Sequence, residues 1–181
     1  MSQLTIYPEV EPDNALVSMT DPGDISKELA ALGVRFERWK SESEVQADDD
    51  NETILLAYDE EIQKLVSERG YKSWDVISLN AKHPDKVSLR AKFTEEHTHA
   101  EDEVRFFVRG SGLFVMHCEQ KVYALLCTKG DLISVPARTK HWFDMGPNPE
   151  FTCIRVFNSP EGWVADYTGD KIAATFPLLE N

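Results

Sequence analysis

Between Thr53 and Arg69 the apolar residues Leu55, Tyr58, Ile62, Leu65 and Val66 recur at helical spacing, and Gly70 follows as a stop. The same rhythm runs more briefly over Asp24–Leu32, where Ile25, Leu29 and Leu32 share a face and Gly33 closes the segment. Leu4–Tyr7, Val34–Trp39 and Trp74–Leu79 have strand character. Pro84 can open a further helix reaching Phe93, because proline is accommodated at the first helical position. Ser41–Glu52, with six acidic side chains, reads as a solvated connector.

Past Phe93 the texture changes. Short strand-like runs follow one another: Glu103–Arg109, Leu113–Cys118, Lys121–Cys127, Asp131–Val135, His141–Met145 and Phe151–Phe157. Gly110-Ser111-Gly112, Glu119-Gln120, Lys129-Gly130, Pro136 and Gly146-Pro147 punctuate them as turns. Evenly spaced short strands with tight turns predict an antiparallel barrel or jelly roll. The expected fold is mainly β, a barrel at residues 94–166 under an α+β layer at 1–93, with a tail at 167–181, all in one domain.

Composition narrows the partners. Nineteen basic residues against thirty-two acidic give a net charge of −13 over 181 residues. No basic stripe exists to neutralise phosphates, which argues against a nucleic-acid binder and against docking on anionic membranes. Apolar runs such as Leu113–Met116 are too short to span a bilayer, and Met1–Glu11 lacks the features of a secretion signal. Cys118, Cys127 and Cys153 are odd in number and form no CxxC pair, so reduced, buried thiols in a cytoplasmic protein are expected. Nothing in the pattern suggests an obligate interface, and a monomer is expected.

The chemistry concentrates in Glu95-Glu96-His97-Thr98-His99-Ala100-Glu101-Asp102-Glu103-Val104-Arg105-Phe106-Phe107. On a strand, His97 and His99 project from one face and can chelate one metal; on a helix they would splay apart. Glu103 lies four residues beyond His99, about 13 Å away in an extended chain. Metal ligands cannot be that far apart, so Ala100–Asp102 must turn back and Glu103 must open the next strand. There Glu103, Arg105 and Phe107 share one face, and Val104, Phe106 and Val108 the other. Arg105 then points into the cavity beside the metal, where its fixed charge suits an anionic substrate; the bland alternative is an ion pair with Glu101, Asp102 or another acid. A fourth ligand must come from elsewhere. His83 reads as a surface or capping residue and His117 as a rim histidine, which leaves His141 best placed by spacing.

These segments resemble the cupin motifs. His97-x-His99-x3-Glu103-x6-Gly110 matches the first motif apart from Ala91 at its opening glycine. Gly130-x5-Pro136 and His141 match the second, with Arg138 in place of its glycine and Met145 in place of its asparagine. Gly33–Trp39, Gly70–Val76, Glu96–His99, Asp102–Phe107, Asp131–Pro136 and His141–Gly146, in that order, narrow the resemblance to the acireductone dioxygenases over nearly the whole chain, with Ala100 a departure where family members often carry glycine.

The resemblance implies a cupin fold and a methionine-salvage enzyme that takes a small-molecule acireductone, 1,2-dihydroxy-3-oxo-5-(methylthio)pent-1-ene, and O2. It implies His97, His99, Glu103 and His141 as ligands to one Fe(II) or Ni(II). It further implies Arg105 as stabiliser of the substrate dianion, with Glu96 and Asp102 in support. With Fe(II) the implied products are 4-methylthio-2-oxobutanoate and formate; with Ni(II) they are 3-(methylthio)propanoate, formate and CO. Phe107 is the expected wall for the thioether tail, while Phe106, Phe143 and Trp163 read first as core. Two other readings are a different metal cupin, such as a sugar-phosphate isomerase, and a non-catalytic small-molecule-binding cupin. The first should carry more inward cations, and the second should lack a ligand.

Overall fold

A computed structural model describes residues 1–39, 45–46, 49–159 and 164–180. Much of the Ser41–Glu52 connector, and Trp163, lie outside the described residues. In chain order the elements are β1 (Gln3–Pro8), β2 (Val17–Met19), α1 (Pro22–Ala30), β3 (Arg35–Arg38), α2 (Asn51–Ala57), α3 (Asp59–Arg69), β4 (Ser73–Leu79) and α4 (Lys86–Phe93). Then follow β5 (His97–Thr98), β6 (Glu103–Cys118), β7 (Lys121–Thr128), β8 (Asp131–Val135), β9 (Lys140–Asp144), β10 (Phe151–Phe157), β11 (Asp166–Tyr167) and a 3-10 turn at Ile172–Thr175.

The mainly β barrel anticipated from the strand rhythm is present. One sheet runs β11-β5-β9-β6-β7-β1-β2; in the other, β10 and β8 pair with β6, β4 pairs with β10, and β3 with β8. All of these pairings are antiparallel. Strands β1, β3 and β4, from the first 93 residues, thus belong to the barrel sheets themselves.

The expected turn at Gly110-Ser111-Gly112 is not a turn. Glu103–Cys118 is one continuous strand of 16 residues that serves both sheets. Its first half pairs with β8 and β10, and its second half with β7 and β9. Gly110 makes the bend between them with φ 69°, while its backbone lies against that of Glu150 and Phe151. Glycine within a strand here marks a bend and a close approach, not an end.

Two helix predictions also needed adjustment. Thr53–Arg69 is two helices, split at Tyr58, whose φ −119° and ψ 17° are not helical. Tyr58 drops instead onto Phe106, with ring centroids 4.9 Å apart. Asp59, Glu60 and Glu61 then begin α3 where the helix dipole favours acids, and Gly70 ends it in the left-handed region with its N–H on the Val66 carbonyl. Helix α4 starts at Lys86, two residues beyond Pro84. Further upstream, α1 begins at Pro22 because Asp21 caps it, accepting hydrogen bonds from the N–H groups of Gly23 and Asp24.

The apolar residues segregate into three clusters. Phe107, Phe114, Phe143, Ile133, Val135, Cys127 and Cys153 fill the barrel together with Ile25 and Leu29 of α1. Val104, Phe106 and Val108 face the other way, packing under Tyr58, Ile62 and Leu65 of the helical layer. Full burial of one such side chain contributes about 1.5–3 kcal/mol. The third cluster joins Val115, Val122 and Trp142 to Ala173 and Phe176, so the tail covers the outer face of the first sheet. Asp144 fastens that tail: it accepts a bidentate pair from Arg90 at 2.6 and 2.8 Å and the Leu179 N–H at 2.8 Å. All three cysteines are free, with Cys127 and Cys153 buried; burial pushes the Cys153 thiol up to about 12, so it behaves as a small hydrophobe. No described helix is long and apolar enough to cross a membrane.

Candidate metal centre

The alternation read from the sequence holds along β6. Glu103, Arg105 and Phe107 face the barrel interior, and Val104, Phe106 and Val108 face the helices. Phe106 is therefore no pocket wall; it stacks with Trp39 at 4.8 Å between centroids. The chain also turns back as the ligand distances require. Strand β5 ends at Thr98, Ala100 and Glu101 bend, and β6 opens at Glu103. Asp102 holds this bend by accepting the Ala137 N–H at 3.0 Å, and the Arg138 N–H donates to the His99 carbonyl at 2.9 Å.

Strand pairing brings the distant histidine in. His97 of β5 lies opposite His141 of β9, which in turn lies opposite Met116 of β6. One ring nitrogen from each of His97, His99 and His141 falls within 4.8 Å of the others, and all three residues are buried. Glu103 Oε2 sits 2.8 Å from His141 Nε2 and 3.4 Å from His99 Nε2. Neither of the other histidines joins them. His83 is half-buried, its Nδ1 engaged by the Asp85 N–H, and His117 binds Glu96 instead.

The backbone fixes the tautomers. The Nδ1 of His97 is 2.7 Å from the Glu95 carbonyl, that of His99 is 3.1 Å from Val164, and that of His141 is 2.7 Å from Thr139. A carbonyl oxygen only accepts, so each Nδ1 must carry the proton and donate. Each Nε2 is then left with a lone pair, and these lone pairs face the centre. This is how second partners prepare imidazoles for a metal. The Phe114 ring stacks on His141 at 5.3 Å with 15° between planes and steadies its orientation.

Glu103 Oε2 and His141 Nε2 are buried without hydrogen-bond partners among the described residues. A carboxylate oxygen and an imidazole lone pair 2.8 Å apart repel unless a cation lies between them. Two orphaned acceptors in a buried site are costly. A divalent ion answers both, so the residues present fit a metal.

The electrostatics act differently on each donor. Burial, aided by neighbouring His141, pushes His97 down to about 4, which leaves it neutral at neutral pH. Burial also pulls His99 down, but the Glu103 carboxylate outweighs it and leaves His99 raised. Burial would raise Glu103, yet the Arg105 charge holds it well below the usual carboxylate range. Arg105 points into the barrel and also makes an ion pair there, with Glu103. Its Nε donates to Glu103 Oε1 at 2.6 Å, and its guanidinium carbon lies 4.8 Å above the Phe143 ring inside the barrel.

Glu96 is not a solvated acid. It is buried, with Oε2 2.7 Å from His117 Nδ1 and Oε1 accepting the Thr168 hydroxyl at 2.7 Å. Sequence reading missed His117 and Thr168 in this role, together with the Val164 carbonyl on His99 and Tyr167, whose ring meets His97 edge-on at 5.8 Å.

Residues 3–165 match the ARD/ARD' family. An acireductone dioxygenase of Pseudomonas aeruginosa is 56% identical over 181 residues and spans 100% of both chains. Another, from an Enterobacter species, is 57% identical over 179 residues and spans 99% of each. Among solved structures, an acireductone dioxygenase from Bacillus anthracis with a cadmium ion in its active centre matches with a TM-score of 0.80 at 32% identity, covering 92% of this chain and 98% of that one. With sequence similarity from end to end, the barrel in common and three imidazoles converging inside it, the chain belongs to the ARD/ARD' family of acireductone dioxygenases.

Proposed function

We propose that the chain cleaves an acireductone with O2 at a single Fe(II) or Ni(II) ion held by His97, His99, His141 and Glu103. The observation that carries this reading is the set of three Nε2 lone pairs, fixed by backbone carbonyls, converging beside an ionised carboxylate. Imidazoles with one carboxylate and no thiolate suit iron or nickel better than a structural zinc. When bound there, the ion supplies a Lewis acid that chelates a cis-enediol and lowers its hydroxyl pKa values.

The chain's own residues prepare the rest. Arg105 keeps Glu103 ionised, so no proton need leave that carboxylate for a metal to bind. The same guanidinium, fixed over Phe143, sets a positive charge beside an electron-rich enediolate. Phe107 is buried inside the barrel, 6.5 Å from Phe143, and offers an apolar wall to a thioether tail. Glu96 acts through His117 and Thr168, holding the segment before His97; Asp102 acts through Ala137, holding the bend before Glu103. A single chain furnishes every one of these groups, which supports a monomer, and three free cysteines suit the cytoplasm.

The test starts from metal-free protein loaded anaerobically with Fe(II) or Ni(II), with acireductone added before O2. Substrate absorbance should fall well above the uncatalysed rate with each metal. Fe(II) protein should give the 2-oxo acid and formate, and Ni(II) protein CO, formate and 3-(methylthio)propanoate. No acceleration with either metal would overturn the proposal.

A further inference from the structure

A cavity of about 410 Å³ opens beside His99, bounded by Thr98, Ala100, Arg138, Val164 and Asp166. His99 itself is 6% exposed and lines this cavity, with its Nδ1 held by the Val164 carbonyl of the same lining. Arg138 stands there with φ 65°, a left-handed backbone that favours glycine over any side chain. The second cupin motif carries glycine at this position, and this chain carries a cation. The residue is tied to the site through its backbone, since its N–H donates to the His99 carbonyl at 2.9 Å. Its side chain is exposed, and no ion pair among the described residues engages it.

The surroundings make that charge consequential. The chain carries a net charge of −13, which repels an anion approaching from solvent. An enediol conjugated to a ketone is a vinylogous acid, so an acireductone reaches the protein as an anion. We infer that Arg138 is a recruiting residue for the anionic enediolate, a positive rim that offsets the acidic surface and the exposed Asp166 across the same cavity. The inference rests on the dioxygenase reading of the site and adds where the substrate comes in and which charge draws it. Arg138 positions substrate and takes no part in the bond-breaking.

The test compares wild type with R138G, R138K and D166N as the metal-loaded full chain. Affinity is read anaerobically from the absorbance change of acireductone on binding, and turnover is read separately after O2 is admitted. R138G should melt no lower than wild type, because glycine takes φ 65° freely. At low ionic strength R138G should bind and use substrate about three- to tenfold less well in kcat/KM, with kcat shifting less than about twofold. The gap should close at about 0.5 M salt, where charges are screened beyond a few ångströms. R138K should retain most of the affinity, and D166N should shift it in the opposite direction to R138G. Wild-type affinity in R138G at low salt would overturn the proposal, as would a loss that is indifferent to salt, a loss carried by kcat, or an R138K variant as impaired as R138G. If wild type itself neither bound nor consumed the acireductone, the dioxygenase reading would fail instead.

Discussion

His97→Ala is expected to lose bound metal and dioxygenase turnover together, the latter by more than about a hundredfold. Removing even a group that only orients a metal ligand commonly costs 10- to 100-fold, and removing a ligand should cost more. The physical reason is local. The lone pair of His97 is presented free of charge at neutral pH, since burial and His141 keep its pKa near 4. Among the described residues, neither side chain beside it can take its place. Tyr167 lies edge-on to the ring at 5.8 Å, and Thr98 points from the opposite face of β5. Metal content by elemental analysis after anaerobic loading, beside the oxygen-dependent loss of substrate absorbance, checks the expectation. Circular dichroism should show the barrel intact, because His97 is one ring at its edge. Full metal occupancy in this variant would remove His97 from the site.

Gly110→Ala is the substitution expected to damage the fold most. A Cβ built on Gly110 would lie 1.6 Å from the Glu150 carbonyl oxygen and 2.8 Å from the Phe151 Cα, backbone atoms where the neighbouring strand begins. The clash cannot be relieved by turning a side chain, so β10 must move away from β6. The left-handed φ adds roughly 1–2 kcal/mol of its own. A total loss above about 4 kcal/mol is expected, enough to leave little soluble protein. Gly70→Ala is the matched control. Its φ of 75° is as unfavourable, but nothing lies within 4 Å of an added Cβ. It should lose only the roughly 1–2 kcal/mol of the backbone strain. Denaturant unfolding of the two variants separates steric contact from conformation; equal losses would mean that the close approach of β10 at Gly110 is not what holds the bend.

That bend joins the fold to the site. The first half of β6 carries Glu103 and Arg105, and the second half carries Met116 opposite His141. Were the strand broken at Gly110, as its glycines suggested, the two halves could be placed independently. As one strand they share a single frame, and His141 Nε2 arrives 2.8 Å from Glu103 Oε2.

What could be read in advance follows from the range of each interaction. His97 and His99 were legible because a two-residue spacing means one face of a strand. Glu103 followed because an extended chain would carry it too far from them. The inward set of Glu103, Arg105 and Phe107 followed from strand alternation, and the separate packing of Phe106 is its other half. Local pattern failed where tertiary contact decides. Tyr58 sits on the apolar stripe of a longer predicted helix, yet its fit onto Phe106 breaks that helix in two. The apolar rhythm placed the first helix at Asp24–Leu32, whereas the Asp21 cap starts it at Pro22 and it ends at Ala30. The Val164 carbonyl reaches His99 across 65 residues, and the Thr168 hydroxyl reaches Glu96 across 72. No periodicity announces a partner at that distance. Arg138 was noted only as a departure from glycine, and its placement at the mouth beside His99 needed coordinates.

A crystal of the protein grown anaerobically with Ni(II), with anomalous scattering recorded at the nickel edge, would decide the metal assignment. One peak per chain is expected, about 2.0–2.2 Å from the Nε2 atoms of His97, His99 and His141 and from an Oε of Glu103. A peak bound by other side chains, or one that leaves any of these four donors out of reach, would contradict it.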